Sequence, residues 1–386
     1  MADTTSRFAP PWDGPRLSLD LDALAHNWRT VVAASAGQRI GAVVKNDAYG
    51  LGVQAIAPAL WALGCREFWV CTFDEALALY HSALEAAKNE AIRILVLNGL
   101  AGAQPEDFAA HGFVPVLGGA HELAALCGYA ARSGQRLPVA IHLDTGLTRL
   151  GFSDGQFQLL QPDSSLWQDA MVTHWVTHLG RFHNPAAPQC RQQRQRFMQW
   201  TAPLPRALRS IATSSSVFAG PDWHFDHVRV GSALWGVPTS QLPTPALHPV
   251  ASLHAPVLRV ADVAAGTEVG YAGSYITPGP RRIATVALGY GDGLPFTLVN
   301  RGSLVLGGRA MPIVGGVAMG MVALDVSTCA PGEIQPGMWA EVYGPQQSLQ
   351  TLADAAGVPA NVLLTLSARL AHRGKTGSFT SATGGA

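Results

Sequence analysis

Lysine is almost missing from this chain: 3 residues against 23 arginines in a length of 386. Charge of either sign is scarce, at 13% of residues, about half the quarter usual in soluble proteins. The 26 basic side chains balance 26 acidic ones. A net charge of zero excludes a broad electrostatic footprint for nucleic acid or an anionic membrane surface, and leaves room only for a local basic groove. No uninterrupted apolar run approaches the roughly 18 residues of a membrane span. The N-terminal stretch MADTTSRFAPPWDGPR lacks an apolar core and reads as an arm, not a signal peptide. The five cysteines (Cys65, Cys71, Cys127, Cys190, Cys329) are odd in number and never spaced CxxC, which points to reduced thiols and a cytoplasmic protein. What the chain does have is core material, 48% hydrophobic residues over a length suited to two domains.

The rare lysines are not equivalent. Lys88 (AAKNE) and Lys375 (RGKTG) stand in solvated contexts. Lys45 closes the apolar run IGAVV, so its ammonium sits at the end of a buried strand and needs a partner there.

The first 240 or so residues alternate short β-branched runs with Ala/Leu-rich stretches of helical spacing. Strands are expected at Ile40–Val44, Phe68–Thr72, Ile92–Leu97, Phe113–Leu117, Pro138–Leu143, Trp175–His178, Ser210–Ser214 and Phe225–Val230. Eight strand-then-helix units are the pattern of a closed parallel (β/α)8 TIM-type barrel, not of an open doubly wound sheet. A ninth alternating segment, Leu17–Leu21, precedes a helix at Asp22–Ala34 and could belong elsewhere. After the Pro-rich linker at Leu242–Pro249 the helical period stops. Runs such as SLHAPVLRVADV, TEVGYAGSY, RRIATVALGY, GSLVLGG, MVALDVS and MWAEVYG read as an antiparallel all-β domain, followed by a short helix at Leu352–Ala355. The expected organisation is an arm at 1–16, a barrel at 17–241 and a β-rich C-terminal domain at 242–386.

Parallel α/β barrels carry their chemistry at the C-terminal ends of the strands. Four such ends bear cationic or titratable residues: Lys45, Arg149 (HLDTGLTRLG), His178 (WVTHLG) and Arg229. Singly, each is ordinary packing or surface; four on one rim call for something anionic between them. The loops after strands seven and eight, a frequent phosphate site in this fold, read Ser214-Ser215-Ser216 and Val230-Gly231-Ser232, rich in hydroxyls and open backbone N–H groups. A lysine and a phosphate cradle on one face suggest a phosphorylated cofactor that forms an imine, pyridoxal 5'-phosphate.

Several segments, in order, resemble the alanine racemase family of barrel-type (fold type III) pyridoxal-phosphate enzymes: AVVKNDAYGLG, DTGLTRLGF, VRVGSALWG, VGYAGSYIT, ALGYGDGLP, GGVAMGMVALDV and LLTLSARLAHR. They span roughly residues 17 to 373. The resemblance implies a homodimeric amino-acid racemase with shared active sites. Lys45 would hold the cofactor and serve as one proton-transfer base, and Tyr271, entering from the partner chain, would be the other. His178 would assist the phenol, whose reference pKa of about 10 is high for a base near neutrality. Arg229 would face the pyridine nitrogen and keep it neutral. Arg149 would neighbour the substrate carboxylate. Tyr49, Ser214, Gly231 and Ser232 would hold the phosphate, and Met319 would line the substrate site.

The departures from that family pattern cluster near the substrate. The family's Cys-Met-Asp is Ala318-Met319-Gly320 here, with Gly316 for a preceding arginine; its Tyr-Glu pair is Ala360-Asn361. A frequent lysine is His142, and the Asn of an Asn-Ser pair is Thr213. Shortened side chains and no added charge favour larger neutral or polar amino acids, with alanine a weak substrate. The alternatives are a lyase, aldolase or decarboxylase of the same fold class, or a pyridoxal-phosphate-binding protein without activity. A metal-dependent hydrolase using His174, His178, His183 or the His224/His227 pair is disfavoured by loose spacing and the absence of evident carboxylate partners, and no metal is expected.

Overall fold

The structure is a computed structural model that describes residues 14–84, 91–160, 166–366, 369–370 and 372–376. Most of the N-terminal arm, residues 1–13, lies outside the described residues. The chain divides into two compact units. One comprises Asp22–Ala48 and Gly52–His248; the other takes the chain up to Leu21, the short piece Tyr49–Leu51, and the chain from Pro249. Strand β1 (Arg16–Asp20) therefore does not open the barrel, as a boundary at residue 17 has it. Leu17 and Leu19 point to one buried face while Arg16 and Asp20 stay exposed, the alternation of a strand covered on one side.

The first unit is a parallel ring of eight strands: β2 (Arg39–Val43), β3 (Glu67–Val70), β4 (Arg93–Val96), β5 (Val114–Leu117), β6 (Leu137–His142), β7 (Ala170–Val176), β8 (Leu208–Ser210) and β9 (His227–Val230). Neighbours pair in sequence order, β9 pairs with β2, and a parallel bridge from Ala212 to Val228 joins β8 to β9. Seven of the eight lie within two or three residues of their expected positions at their starts. The exception is β7, which begins at Ala170; the polar Thr173-His174 in its middle masks the strand signal, although His174 is fully buried. Helices between strands carry the expected apolar stripe. In Ala120–Ser133, Leu123, Leu126, Tyr129 and Ala130 are buried, and Gly134 ends the helix in the left-handed conformation.

The ring interior is packed. Trp69, Leu95, Val114, Val116, Ala140 and Val176 form one buried cluster. Trp69 fills so much of it that a Cβ on Gly41 would stand 2.2 Å from the indole Nε1. Only a glycine fits opposite.

In the second unit, β10 (Ala251–Val263), β11 (Arg281–Val286), β12 (Ser303–Leu306), β13 (Arg309–Val314), β14 (Val322–Asp325) and β15 (Trp339–Tyr343) close on themselves. Their order is β11-β14-β13-β12-β15-β10, and β10 also pairs with β11. The long β10 achieves this by a register shift between Val257 and Arg259, so its two halves serve different neighbours. β1 and β16 (His372–Thr376) extend the sheet from β10, with β1 antiparallel to β10 and parallel to β16. The segment TEVGYAGSY is not the strand that its composition suggests. Gly270, Ala272 and Gly273 have φ of 77°, 60° and 57°, which turns the chain tightly and leaves only a bridge between Glu268 and Ile276.

Candidate active site

Lys45 follows β2, and its segment is unusual. Asn46, Asp47, Ala48 and Tyr49 all have φ between 53° and 58°, one turn of left-handed helix that costs about 1–2 kcal/mol per residue. The turn is held by hydrogen bonds: Ala48 N donates to Val44 O, Gly52 N to Asp47 O, and Val53 N to the Asp47 carboxylate at 2.7 Å. The Glu75 carboxylate accepts from Asn46 N at 3.0 Å and Cys71 N at 2.7 Å, stapling the loops after β2 and β3. Glu122 does the same for the next pair of loops, accepting from Leu100 N at 2.8 Å and Gly118 N at 2.6 Å. These rim staples were not among the sequence candidates. The signal for Glu75 lies in T-x-x-E at Thr72–Glu75, where Thr72 caps the following helix and accepts from Glu75 N.

Arg149 rides on the loop after β6. Asp144 Oδ1 accepts from the N–H groups of Gly146, Leu147 and Thr148 at 3.0, 2.9 and 3.0 Å, and Phe152 N returns to His142 O at 2.8 Å. Gly151 has φ of 112°, and a Cβ there would lie 2.8 Å from Asp144 N. Arg149 itself is exposed.

Arg229, on β9, is 4% exposed. Its Nη2 donates to Thr177 O at 2.6 Å, its guanidinium stands 5.3 Å over the Trp69 ring, and its buried Nη1 has no hydrogen-bond partner. Burial pushes the guanidinium down to about 9; Glu67 opposes that and Arg149 adds to it. His178 is held well below its ordinary 6.5 by burial and then by the charges of Arg229, Arg149, His142 and Lys45. His142 is pushed down to about 4, chiefly by burial, then by Arg229 and Arg149. Burial raises the Cys71 thiol, against the pull of Lys45 and Arg149. The barrel thus gathers Lys45, Arg149, His178 and Arg229 into one electrostatic neighbourhood, with His142 and Cys71 added. Both imidazoles are neutral there, and the excess charge is cationic. It suits an anionic occupant.

The phosphate candidates also converge. Gly231 N and Ala233 N both donate to Ser214 Oγ, at 2.9 and 3.2 Å, and Ser232 is buried beside them. Because Ser214 Oγ accepts both N–H groups, its own O–H is left to donate to a phosphate oxygen. The orphaned Arg229 Nη1 provides a donor for an uncharged ring nitrogen. On these two observations the residues present fit pyridoxal phosphate.

Tyr271 and Met319 belong to the second unit, 75% and 65% exposed. Tyr49, half-buried, also groups with that unit. Of the shortened positions, Ala360 is buried at the start of the helix Ala360–Leu366, whereas a Cβ on Gly320 would meet nothing within 4 Å.

A parallel eight-stranded barrel with a lysine, two arginines and neutral imidazoles at the C-terminal rim, joined in sequence to a closed antiparallel β unit, defines a narrow class of barrel proteins. Residues 19–239 match the alanine racemase N-terminal domain and residues 250–373 the alanine racemase C-terminal domain. The chain belongs to the alanine racemase family. It is 35% identical over 373 residues to the alanine racemase of Brucella canis, covering 93% of each chain, and 39% identical over 354 residues to that of Acidiphilium cryptum, covering 91% of this chain and 96% of that one. Among solved structures, the alanine racemase of Bartonella henselae with covalently bound pyridoxal phosphate superposes with a TM-score of 0.87 at 32% identity, covering 94% of this chain and 99% of that one. That of Streptomyces coelicolor gives 0.88 at 30%, covering 95% and 98%.

Proposed function

We propose that this protein is a pyridoxal-phosphate-dependent amino-acid racemase that moves the α-proton with Lys45 on one side of the substrate and Tyr271 on the other. The observation that carries the proposal is the convergence of Lys45, Arg149, Arg229 and the neutral His178 on one barrel rim. The cofactor is pyridoxal 5'-phosphate; bound, it supplies a conjugated electron-withdrawing ring that lowers the cost of removing the α-proton.

The chain's own groups divide the remaining work. Ser214, Gly231 and Ser232 would hold the phosphate, with Tyr49 contributing its phenol. Arg229, through its unpartnered Nη1–H, would donate to the ring nitrogen. At about 9 its pKa still keeps the proton on the guanidinium at neutral pH, so a ring nitrogen facing it would stay unprotonated. Arg149 orients the carboxylate of the amino acid. His178, kept neutral by burial and then by the cations around it, would offer a hydrogen-bonding partner to the Tyr271 phenol.

Tyr271 is supplied by the partner subunit of a homodimer. In support, the second unit exposes Tyr271, Ile276, Phe296 and Met319 at 75, 55, 62 and 65%. The substrate is a neutral or polar amino acid larger than alanine, because Ala318 and Gly320 remove side-chain atoms without adding charge. The site of action is the cytoplasm. Consistent with this, no helix among the described residues is long and apolar enough to cross a membrane, and all five cysteines are free.

The test is a visible absorption band removed by borohydride, followed by peptide mapping. Label on Lys45 supports the reading; label on Lys88 or Lys375 contradicts it.

A further inference from the structure

Beneath the catalytic rim, three side chains that the racemase reading does not use meet inside the barrel. Glu67 and Trp69 on β3, and His227 and Arg229 on β9, are i, i+2 pairs, so all four point inward. The Trp69 indole separates the rim guanidinium from the layer below, with Arg229 at 5.3 Å and the rings of His174 and His227 at 5.8 and 5.7 Å. In that layer the Glu67 carboxylate lies 2.6 Å from His227 Nε2 through Oε1 and 3.6 Å from His174 Nε2 through Oε2. Glu67 is 7% exposed and both histidines are fully buried.

The hydroxyls around the rings fix the tautomers. The Thr173 hydroxyl donates its single proton to Val139 O at 2.9 Å, so in its 2.9 Å contact with His174 Nδ1 the ring donates. The Ser210 hydroxyl donates to His227 O at 3.0 Å, so in its 3.1 Å contact with His227 Nδ1 the ring again donates. Each histidine thus presents its Nε2 to the carboxylate: His227 Nε2 lies at hydrogen-bond distance from Oε1, while His174 Nε2 is buried without a hydrogen-bond partner. Trp69 Nε1 donates to Oε1 at 2.9 Å, and Arg93 approaches Oε2 at 3.6 Å. Neither of these donors reaches an imidazole. A proton on His227 answers one lone pair and leaves His174 facing an acceptor in a dry site; one cation answers both. His174, with an oriented Nδ1–H and an unpartnered Nε2 aimed at the carboxylate, is held as metal-binding histidines are.

We propose that Glu67, His174 and His227 bind one divalent transition-metal ion of the zinc class, a structural site tying β3, β7 and β9 together across the barrel. The three ligand atoms lie within 4.8 Å of one another. Two imidazoles and a carboxylate, with no thiolate, suit zinc, cobalt or nickel, with water completing the shell. On loading, the Glu67–His227 contact opens from hydrogen-bond distance to about 3.3 Å, the spacing of two ligands on one ion. The sequence alone suggests no metal, because no carboxylate neighbours these histidines in the chain; β3 brings Glu67 to them. The site stands apart from the catalytic reading and does not depend on it.

The test is metal content. The holoenzyme is stripped by chelator, incubated with one equivalent of zinc, desalted and assayed by mass spectrometry. About one zinc per chain is expected, retained in Lys45→Ala and reduced at least tenfold in His174→Gln. X-ray absorption of the zinc-loaded unmodified protein reads the ligands directly, whether or not the variant folds. Two imidazoles plus oxygen with no sulfur support the proposal. Retention below a tenth of an equivalent, a sulfur ligand, or fewer than two imidazoles would overturn it.

Discussion

Gly151→Ala tests whether the loop that carries Arg149 is held as tightly as its geometry requires. The backbone at Gly151 has φ of 112°, and the new methyl would stand 2.8 Å from Asp144 N and 3.0 Å from His142 O. Both are backbone atoms, fixed in the hydrogen bonds that define the loop, and cannot swing aside as a side-chain end would. Forcing a Cβ into this backbone region costs about 1–3 kcal/mol, and crowding against fixed atoms adds about 1–3 kcal/mol. A loss of about 2–6 kcal/mol is expected if the loop keeps its shape. If it relaxes instead, Arg149 moves, and a shift of about 1 Å in a positioning group costs up to about 100-fold in rate. Gly155→Ala is the control: it lies in the helix Asp154–Phe157 with nothing within 4 Å of its Cβ. Removing a helical glycine should leave stability unchanged or raise it by up to about 1 kcal/mol. Urea unfolding and steady-state kinetics on both variants, with cofactor content measured beside them, decide the matter. A Gly151→Ala protein with parental stability and kcat/KM, or equal damage from Gly155→Ala, would refute the reasoning.

Four further outcomes are expected. Lys45→Ala should lose covalent cofactor and racemase activity together, read by absorption and chiral chromatography. Mixing inactive Lys45→Ala and Tyr271→Phe chains should restore part of the activity, since one site of each mixed dimer is intact; no recovery despite demonstrated subunit exchange would mean that each site is built within one chain. Ala318→Cys with Gly320→Asp should shift preference back toward alanine with little cost in stability at the open Gly320, whereas Ala360→Tyr should destabilise by about 1–3 kcal/mol because Ala360 is buried. Finally, the cofactor-free chain should weaken in acid. The His142 pKa is lowered from 6.5 to about 4 on folding, so its contribution is complete above pH 6.5 and is lost as pH falls from there toward 4, by about 3 kcal/mol. Urea midpoints at pH 7.5 and 4.5 should differ accordingly, and by less in His142→Phe.

The barrel was legible because its strands are short, β-branched and separated by amphipathic helices, a pattern that survives without knowledge of any contact. Lys45 could be singled out on its own, since a lone ammonium after IGAVV has no other explanation. What escaped is what depends on meeting across the ring. Glu75 and Glu122 were not singled out, because only the folded ring shows their carboxylates bridging adjacent loops. Glu67 looks like a strand-edge charge until β7 and β9 close beside it. The strand expected at TEVGYAGSY failed for a local reason: alternation suggested extension, but the positive φ values at Gly270, Ala272 and Gly273 decide for a turn. That turn is what presents Tyr271 on an exposed loop.

The central claim, proton transfer between Lys45 and Tyr271 on a bound amino acid, is tested most directly by one measurement. The holoenzyme, with cofactor occupancy determined, is incubated with a panel of L- and D-amino acids, and enantiomer ratios are followed by chiral chromatography beside Lys45→Ala and Tyr271→Phe. The account predicts cofactor-dependent racemisation from both directions, with serine, methionine or another neutral side chain at least as good a substrate as alanine, and none in Lys45→Ala. A preparation carrying stoichiometric cofactor on Lys45 that racemises no amino acid would contradict it.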